Sequence, residues 1–249
     1  MGVQFTPATE YSQVRVSEVW SLFREDFPLT QEMPPLPPTF ETFGLPQGGI
    51  GGPPINLRAM PEHSRYWFIS TNEEELLQFQ PDRLLHNWRK VGNKTNEYPR
   101  FETLIGKFEN ELRTLENYFS ALAPQSLKIN QCEISYINHI DIENSKSAQD
   151  WLNFIHFNQL DPDDFVIRFR RIISNAEGKP LGRLIYEAAV AVTPNNKEVV
   201  RLTLTLRGKP TGTDINAAID FLRYGRGLVV QSFKEITTDM AHEKWGMVS

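Results

Sequence analysis

The sequence predicts an α+β fold that combines antiparallel sheet with two long helices. Three segments between residues 165 and 207 alternate apolar and polar side chains, which is typical of strands with one buried and one solvated face. Phe101–Leu122 instead repeats its apolar residues at helical spacing, with polar residues such as Glu102, Lys107 and Glu111 on the face assigned to solvent. These patterns favour two tandem units, each a curved antiparallel sheet packed on a long helix.

The first predicted unit, residues 1–124, begins with a short strand and a helix over Val16–Phe27 that Pro28 ends. Residues 28–56 are rich in proline and glycine and predict a long irregular loop, with polyproline II at 33–38. Further strands are predicted at Arg65–Ser70, Glu75–Gln80 and Leu84–Lys90, before the helix Phe101–Leu122.

The second predicted unit, residues 125–249, repeats this order of elements without a residue-level repeat. It starts with a strand at Leu127–Ile140 and a short helix around Ala148–Phe157, and the three alternating strands follow. Thr213 or Asp214 caps the last helix, in which Gly225 and Gly227 predict a kink or short break. The two units are expected to form one compact body.

The composition excludes several classes of protein. The chain has 249 residues, 40% of them hydrophobic and 23% charged, and Cys132 is its only cysteine. An internal disulfide and a cysteine-rich zinc site are therefore excluded. No apolar run reaches membrane-spanning length, and the N-terminus has neither the basic start nor the apolar core of a signal peptide. These features predict a cytoplasmic protein without a membrane partner.

Charge is distributed unevenly along the chain. The net charge is −5, yet residues 165–210 hold nine Lys and Arg against three Asp and Glu. Arg168, Arg170, Arg201 and Arg207 share the parity opposite the apolar set, so they predict a basic sheet face for an anionic partner. The alternative is that acidic groups from the rest of the chain fold over the face. Nucleic acid is not favoured, because no aromatic residues alternate with these arginines.

A second candidate site follows the strands near residue 80. Polar and apolar residues interleave there, and the polar set could hydrogen-bond a ligand or hold an anion. The alternative is an internal network that ties strand ends together. The candidate ligand-binding residues are Gln78, Gln80, Arg83, Asn87, Trp88 and Arg89.

No catalytic, metal or cofactor site is expected. His139 and Asp141 share a strand face and could form a general-base pair or half a metal site, but a structural hydrogen bond explains them as well. Gly48–Gly52 lacks the lysine of a phosphate loop, so its composition favours a linker. Asp161–Asp164 predicts a turn. Cys132 reads as a core residue, and no Gly-x-Ser-x-Gly is present.

One segment carries a family resemblance. Residues 78–89 read QFQPDRLLHNWR and are followed by YPRFE at 98–102, with GVQF near the start and FKEITT near the end. Together they resemble a sporadically distributed family of bacterial proteins of unknown function. The resemblance implies a bacterial protein and associates it with a defence or mobile-element system. Gly2–Phe5 looks like only the end of that family's first strand, which would leave a sheet edge less well covered.

We therefore expect a non-catalytic binding or scaffold protein that acts through a protein partner or through a second copy of itself. Two alternatives stay open. The first is a small-molecule-binding module in which the sheets enclose an apolar cavity, since the chain has 16 Phe, 7 Tyr and 5 Trp. The second is nucleic-acid binding through the arginine-rich face.

Overall fold

The computed structural model describes residues 1–44, 64–92, 97–124, 126–142, 147–158, 160, 162–193 and 195–246. Within these residues the chain forms nine strands and four α-helices. The strands are β1 (Gly2–Phe5), β2 (Leu29–Met33), β3 (Arg65–Ile69), β4 (Glu75–Gln80), β5 (Arg83–Trp88), β6 (Ile129–Asp141), β7 (Val166–Ser174), β8 (Pro180–Val192) and β9 (Glu198–Gly208). The helices are α1 (Val16–Phe23), α2 (Phe101–Leu122), α3 (Ile215–Ile236) and α4 (Asp239–Lys244).

The strands belong to one hydrogen-bonded sheet in the order β2-β3-β4-β5-β1-β6-β9-β8-β7. The prediction of an α+β fold with an antiparallel sheet is confirmed. Two details differ from expectation. Strand β1 lies between β5 and β6 and not at an edge, and β2 forms an edge strand inside the segment predicted to be irregular. Of the helices in the described ranges, none is long and apolar enough to cross a lipid bilayer.

The chain divides into two compact units, neither of which is a continuous segment. The first unit contains residues 1–132 and 209–222, and the second contains residues 133–208 and 223–249. Strand β6 and helix α3 therefore each contribute residues to both units.

The core of the first unit forms around α2. Phe108, Leu112 and Leu115 on this helix are fully buried, and Phe119 packs edge-on against Phe5 of β1 with ring centroids 6.1 Å apart. This stripe is the one that the helical spacing predicts. Helix α1 ends at Phe23, earlier than predicted, and residues 24–27 form a turn.

The core of the second unit forms where the C-terminal part of α3 packs on β8 and β9. Helix α3 is continuous, so the short break that was one of the two alternatives predicted at Gly225 and Gly227 does not occur. A side chain at Gly225 would come within 2.8 Å of both Ile134 and Leu206, so this glycine allows the helix to approach the strands closely. At the start of α3, the Asp214 carboxylate accepts the Ala217 N–H at 2.9 Å, which confirms the predicted cap.

The short helix predicted at 148–157 is replaced by a 3₁₀ turn, Ala148–Asp150. After this turn, Leu152 forms an isolated antiparallel bridge with Thr237. Asn153 N–H donates to the Ile236 carbonyl, and the Trp151 ring stacks on Trp245. This pairing takes the Asn153 N–H, which a longer helix would have bonded to a carbonyl four residues earlier.

Candidate functional site

The predicted ligand-binding residues near residue 80 do not form one site. The register of β4 and β5 pairs Gln80 with Arg83 and Leu76 with Asn87, so Gln78, Gln80, Arg83 and Asn87 share one face. Trp88 has the opposite parity and contacts Tyr98, with ring centroids 5.1 Å apart.

Arg89 lies beyond the end of β5. Its Nε donates to the Glu73 carbonyl at 2.8 Å, and its guanidinium lies 3.5 Å from the Glu73 carboxylate. The sequence therefore grouped six residues that the strand geometry separates into a shared face, an opposite face and a strand end.

Gln78 is held by its neighbours on the shared face. Its Oε1 accepts from Arg65 Nη1 at 2.7 Å and from Trp67 Nε1 at 3.0 Å, while its Nε2 donates to Asn87 Oδ1 at 2.9 Å. These partners come from β3 and β5, the strands on either side of Gln78. The side chain is 7% exposed, and this network resembles the internal alternative more than an open pocket.

Gln80 binds the covering segment, residues 36–39, to the sheet directly, and Arg83 does so only through Gln4. Gln80 Oε1 accepts from the Leu36 N–H at 2.9 Å, and Gln80 Nε2 donates to the Leu36 carbonyl at 3.1 Å, so the side-chain amide pairs with this backbone as a strand would. Arg83 Nη2 donates to Gln4 Oε1 at 3.1 Å, and Gln4 in turn exchanges hydrogen bonds with the Thr39 backbone.

Arg83 also has a charge partner. Its Nε and Nη2 donate to the two carboxylate oxygens of Asp82, both at 3.1 Å. Arg83 is 6% exposed, so the pair is shielded from water. A bidentate, shielded pair of this kind orients both side chains.

In the second unit, the four predicted arginines lie on one sheet face, which we call the arginine face. The register pairs Arg168 with Glu187 and Ala189 with Arg201, because β8 lies between β7 and β9. Its cross-strand rows are Val166–Ala189–Arg201, Arg168–Glu187–Thr203, Arg170–Ile185–Thr205 and Ile172–Arg183–Arg207.

Strand β6 extends this face. Ser135 hydrogen-bonds Thr205 at 2.7 Å and Glu133 pairs with Arg207, so the odd-numbered residues of β6 have the same orientation. Ile137 belongs to this set and is 63% exposed. Helix α3 packs on the opposite face, where the Tyr186 hydroxyl donates to Ser232.

Charge on the arginine face is only partly balanced. Arg168 Nε lies 3.1 Å from Glu187 Oε1, with both side chains about half exposed. Arg201 is exposed and makes no hydrogen bond or ion pair with any described residue. The centre of the face is less open than the alternation predicts, since Ile185 and Thr205 are buried.

The other predicted residues are dispersed. His139 is exposed, and Asp141, its expected partner, pairs with Lys197. Cys132 is buried, and its burial raises the pKa of the thiol, as suits a core residue. Gly48–Gly52 and Asp161 lie outside the described residues. Across the described ranges, no group of three His, Cys, Asp or Glu side chains is placed to hold a metal ion.

Sequence reasoning missed a buried polar cluster in the first unit. The ring of His86, on β5, has no exposed surface, and its Nδ1 lies 2.9 Å from both carboxylate oxygens of Glu111 on α2. Its Nε2 lies 3.4 Å from Glu75 Oε2 and makes no hydrogen bond with a described residue. Lys107 Nζ donates to both Glu75 oxygens, at 2.6 and 2.8 Å.

The cluster shifts the protonation of its members in different directions. Contacts with His86 and Lys107 lower the pKa of Glu75 to about 2. Burial raises the pKa of Glu111, and the hydrogen bond from His86 offsets this only in part. Burial lowers the pKa of His86, but the two carboxylates outweigh it, so the net shift is upward. The site therefore holds opposite charges in a region with little water.

Glu75, Lys107 and Glu111 also line a cleft of about 360 Å³, which we call the Glu111 cleft. The prediction that Glu111 lies on the solvated face of α2 is wrong, since this residue is 9% exposed. One signal for the cluster was available. Glu111 follows Phe108 by three residues, which places it at the border of the apolar stripe.

No family model, curated protein or solved structure significantly matches this chain. Function is therefore inferred from the residues and their geometry.

Proposed function

We propose that this protein is a non-catalytic binding or scaffold protein whose arginine face docks onto an acidic surface of a protein partner. The observation that carries the proposal is the mixture of exposed aliphatic side chains and arginines on one sheet face. Val166 is 81% exposed, Ile137 63% and Ile172 46%. Exposed aliphatic groups beside arginine are the composition that protein interfaces favour.

The charge of the face supports an acidic partner. The face holds five arginines, Arg168, Arg170, Arg183, Arg201 and Arg207, and three acidic residues, Glu133, Asp141 and Glu187. Asp141 is paired with Lys197. Since cations outnumber anions there, the summed field attracts negative charge and repels basic surfaces. Arginine also forms bidentate pairs with carboxylates, which fixes the orientation of a docked partner.

A protein partner is favoured over nucleic acid by the position of the aromatic rings. Phe169 and Tyr186 stack on each other with centroids 4.5 Å apart, and their parity places both on the face opposite the arginines. Bases would therefore have no aromatic platform on the arginine face, and nucleic acid would be limited to backbone contacts. A second copy of this chain is an alternative occupant, tested below.

The proposal also covers the cellular setting of the protein and the organisation of its fold. We place the protein in the bacterial cytoplasm and associate it with a defence or mobile-element system, on the resemblance of residues 78–89 and 98–102 to the bacterial family described above. We also interpret the fold as two tandem α+β units, because α2 and α3 each hold 22 residues and each follows a series of strands.

The test is a charge reversal on the face. Arg168→Glu with Arg201→Glu changes two exposed cations, and Arg24→Glu with Lys90→Glu makes the same charge change at exposed positions of the first unit. Tagged wild-type and variant proteins are recovered from the native host, and co-purifying proteins are quantified. The affinity of the reproducible partner is then measured between about 50 and 300 mM salt, together with RNA binding and sedimentation.

We expect one acidic partner that the face variant loses, that the control variant retains and whose affinity falls with salt. Equal recovery by both variants would overturn the proposal. RNA binding with a steep salt slope, lost in the face variant, would replace the protein partner with nucleic acid. Self-association lost in the face variant would identify the occupant as a second copy.

A further inference from the structure

The geometry of the first unit points to a second site, independent of the arginine face. We infer that the Glu111 cleft binds a small organic cation, an amine that carries an apolar body. The carboxylate of Glu111 would receive the ammonium group. The apolar body would lie against Leu22, Phe23 and Phe27.

Glu111 has unused capacity for hydrogen bonds. Its two oxygens share one donor, His86 Nδ1, and no other described residue hydrogen-bonds to this carboxylate. A carboxylate accepts about four hydrogen bonds, and an under-satisfied buried acceptor is costly. Since Glu111 is 9% exposed and lines the cleft, a ligand donor that enters the cleft can meet it.

His86 provides a second, independent indication. The residue is 1% exposed, yet its Nε2 makes no hydrogen bond among the described residues and lies 3.4 Å from the cleft-lining carboxylate of Glu75. Glu75 itself is bound by Lys107 on both oxygens. The buried cluster therefore holds one carboxylate and one ring nitrogen that the chain leaves incompletely paired.

The charge of the cleft selects a cation over an anion. The single lysine of the cleft lining, Lys107, is already paired with Glu75, whereas Glu111 and Asp26 also face the cleft. When His86 is protonated, the positive charges of His86 and Lys107 balance the negative charges of Glu75 and Glu111. Asp26 then leaves the rim of the cleft negative. An anion would meet Glu111 and Asp26 without a free positive charge. A neutral alcohol would donate a single hydrogen bond and bring no positive charge.

The size and lining of the cleft select a small ligand with an apolar part. A volume of about 360 Å³ is near the lower end of small-molecule sites. Phe23 and Phe27 are buried on one wall, and Asn72, Asn110 and Thr114 supply polar groups elsewhere in the lining. This cleft is more polar than the apolar cavity considered from the sequence.

The experiment compares three probes of the same shape by calorimetry and by NMR of the His86 ring. Phenethylamine is cationic at neutral pH, phenethyl alcohol is neutral, and phenylacetate is anionic. We expect phenethylamine to bind with a Kd near about 1 mM or below, with the alcohol at least about tenfold weaker and no binding of the anion. Shifts of the His86 ring signals would place the amine beside the cluster.

Two variants locate the site. Glu111→Gln removes the charge and should weaken phenethylamine at least about tenfold. Because this change affects a buried pair and can impair folding, Asn110→Lys adds a cation at an exposed lining position, with Asn117→Lys as its control on the same helix. We expect Asn110→Lys to weaken the amine at least about tenfold and Asn117→Lys to change it less than about twofold.

Three results would overturn the inference: no binding of phenethylamine up to about 10 mM, equal binding of amine and alcohol, or equal effects of Asn110→Lys and Asn117→Lys. None of these outcomes bears on the arginine face, because the residues of that face belong to the other unit. The two proposals therefore succeed or fail separately.

Discussion

Arg83 in the first unit and Arg201 in the second both extend from a strand onto a polar sheet face, but their surroundings differ. Arg83 is 6% exposed, with both carboxylate oxygens of Asp82 and the amide of Gln4 as partners. Arg201 is exposed and pairs with no described residue. The covering segment 36–39 accounts for part of the difference, because its backbone bonds to the side chains of Gln4 and Gln80.

The comparison teaches how the same residue types acquire different roles. Amides and guanidinium groups on a sheet contribute to stability when a backbone segment closes over them, because each buried polar group then has a partner. Where a guanidinium is exposed and bonds to no described residue, as at Arg201, it contributes little to folding and is available for binding. Exposure and pairing, more than residue type, therefore separate a structural polar face from a candidate binding face.

The largest expected effect comes from a substitution on the polar sheet face that residues 36–39 cover. Arg83→Ala removes three hydrogen bonds and leaves Asp82 and Gln4 underpaired in a shielded region, so we expect a loss of about 3 kcal/mol in the free energy of unfolding. Arg201→Ala, the matched change on the arginine face, should stay within about 0.5 kcal/mol of wild type. Urea denaturation of both variants, followed by circular dichroism, measures the difference.

Equal stability of the two variants would contradict the comparison. If Arg83→Ala unfolds like wild type, the guanidinium is not structural, and the original interpretation of Arg83 as a ligand-binding residue regains support. If Arg201→Ala proves as costly, the arginine face is closed by a contact outside the described residues.

How far the sequence predicts these faces depends on the range of the interactions. The alternation in β7–β9 predicts the shared face of Arg168 and Arg201, because parity along a strand is a local property. The helical repeat likewise predicts α2 to the residue, from Phe101 to Leu122. Both are patterns of neighbouring residues, which a sequence displays directly.

Pairing across the chain is what the sequence does not display. Gln80 bonds to the backbone of Leu36, 44 residues away, and the amide of Gln80 looks the same in sequence whether it binds a backbone or a ligand. Glu111 meets His86 only because α2 packs over β5, and a lone glutamate at the border of a helical stripe is typically solvated. These long-range partners determine whether a polar residue is structural.

The second prediction concerns pH and the buried cluster of the first unit. The pKa of Glu75 is lowered from its ordinary 4.5 to about 2 in the folded protein. Its contribution to stability is therefore complete above about pH 5 and is lost as the pH falls toward 2. Glu75→Gln should cost about 1–2 kcal/mol at pH 6, a value reduced for solvent screening, and almost nothing at pH 2.

Urea denaturation of wild type and Glu75→Gln between about pH 2 and 6 measures this gap. The comparison is kept below the ordinary pKa of histidine, which limits the contribution of His86 titration. A gap that stays constant across this range would show that Glu75 acts through packing and not through its charge.

The smallest expected effects sharpen the comparison within the arginine face itself. The side chains of Arg168 and Glu187 are 54% and 46% exposed, whereas those of Arg207 and Glu133 are 20% and 32% exposed. Because water screens the first pair more, Glu187→Gln should change the free energy of unfolding by less than about 0.5 kcal/mol, and Glu133→Gln by about 1 kcal/mol. The same urea titrations resolve the order of the two variants. A larger cost for Glu187→Gln would mean that Arg168 depends on this partner for folding, and the arginine face would then have to be regarded as a structural surface like that of Arg83.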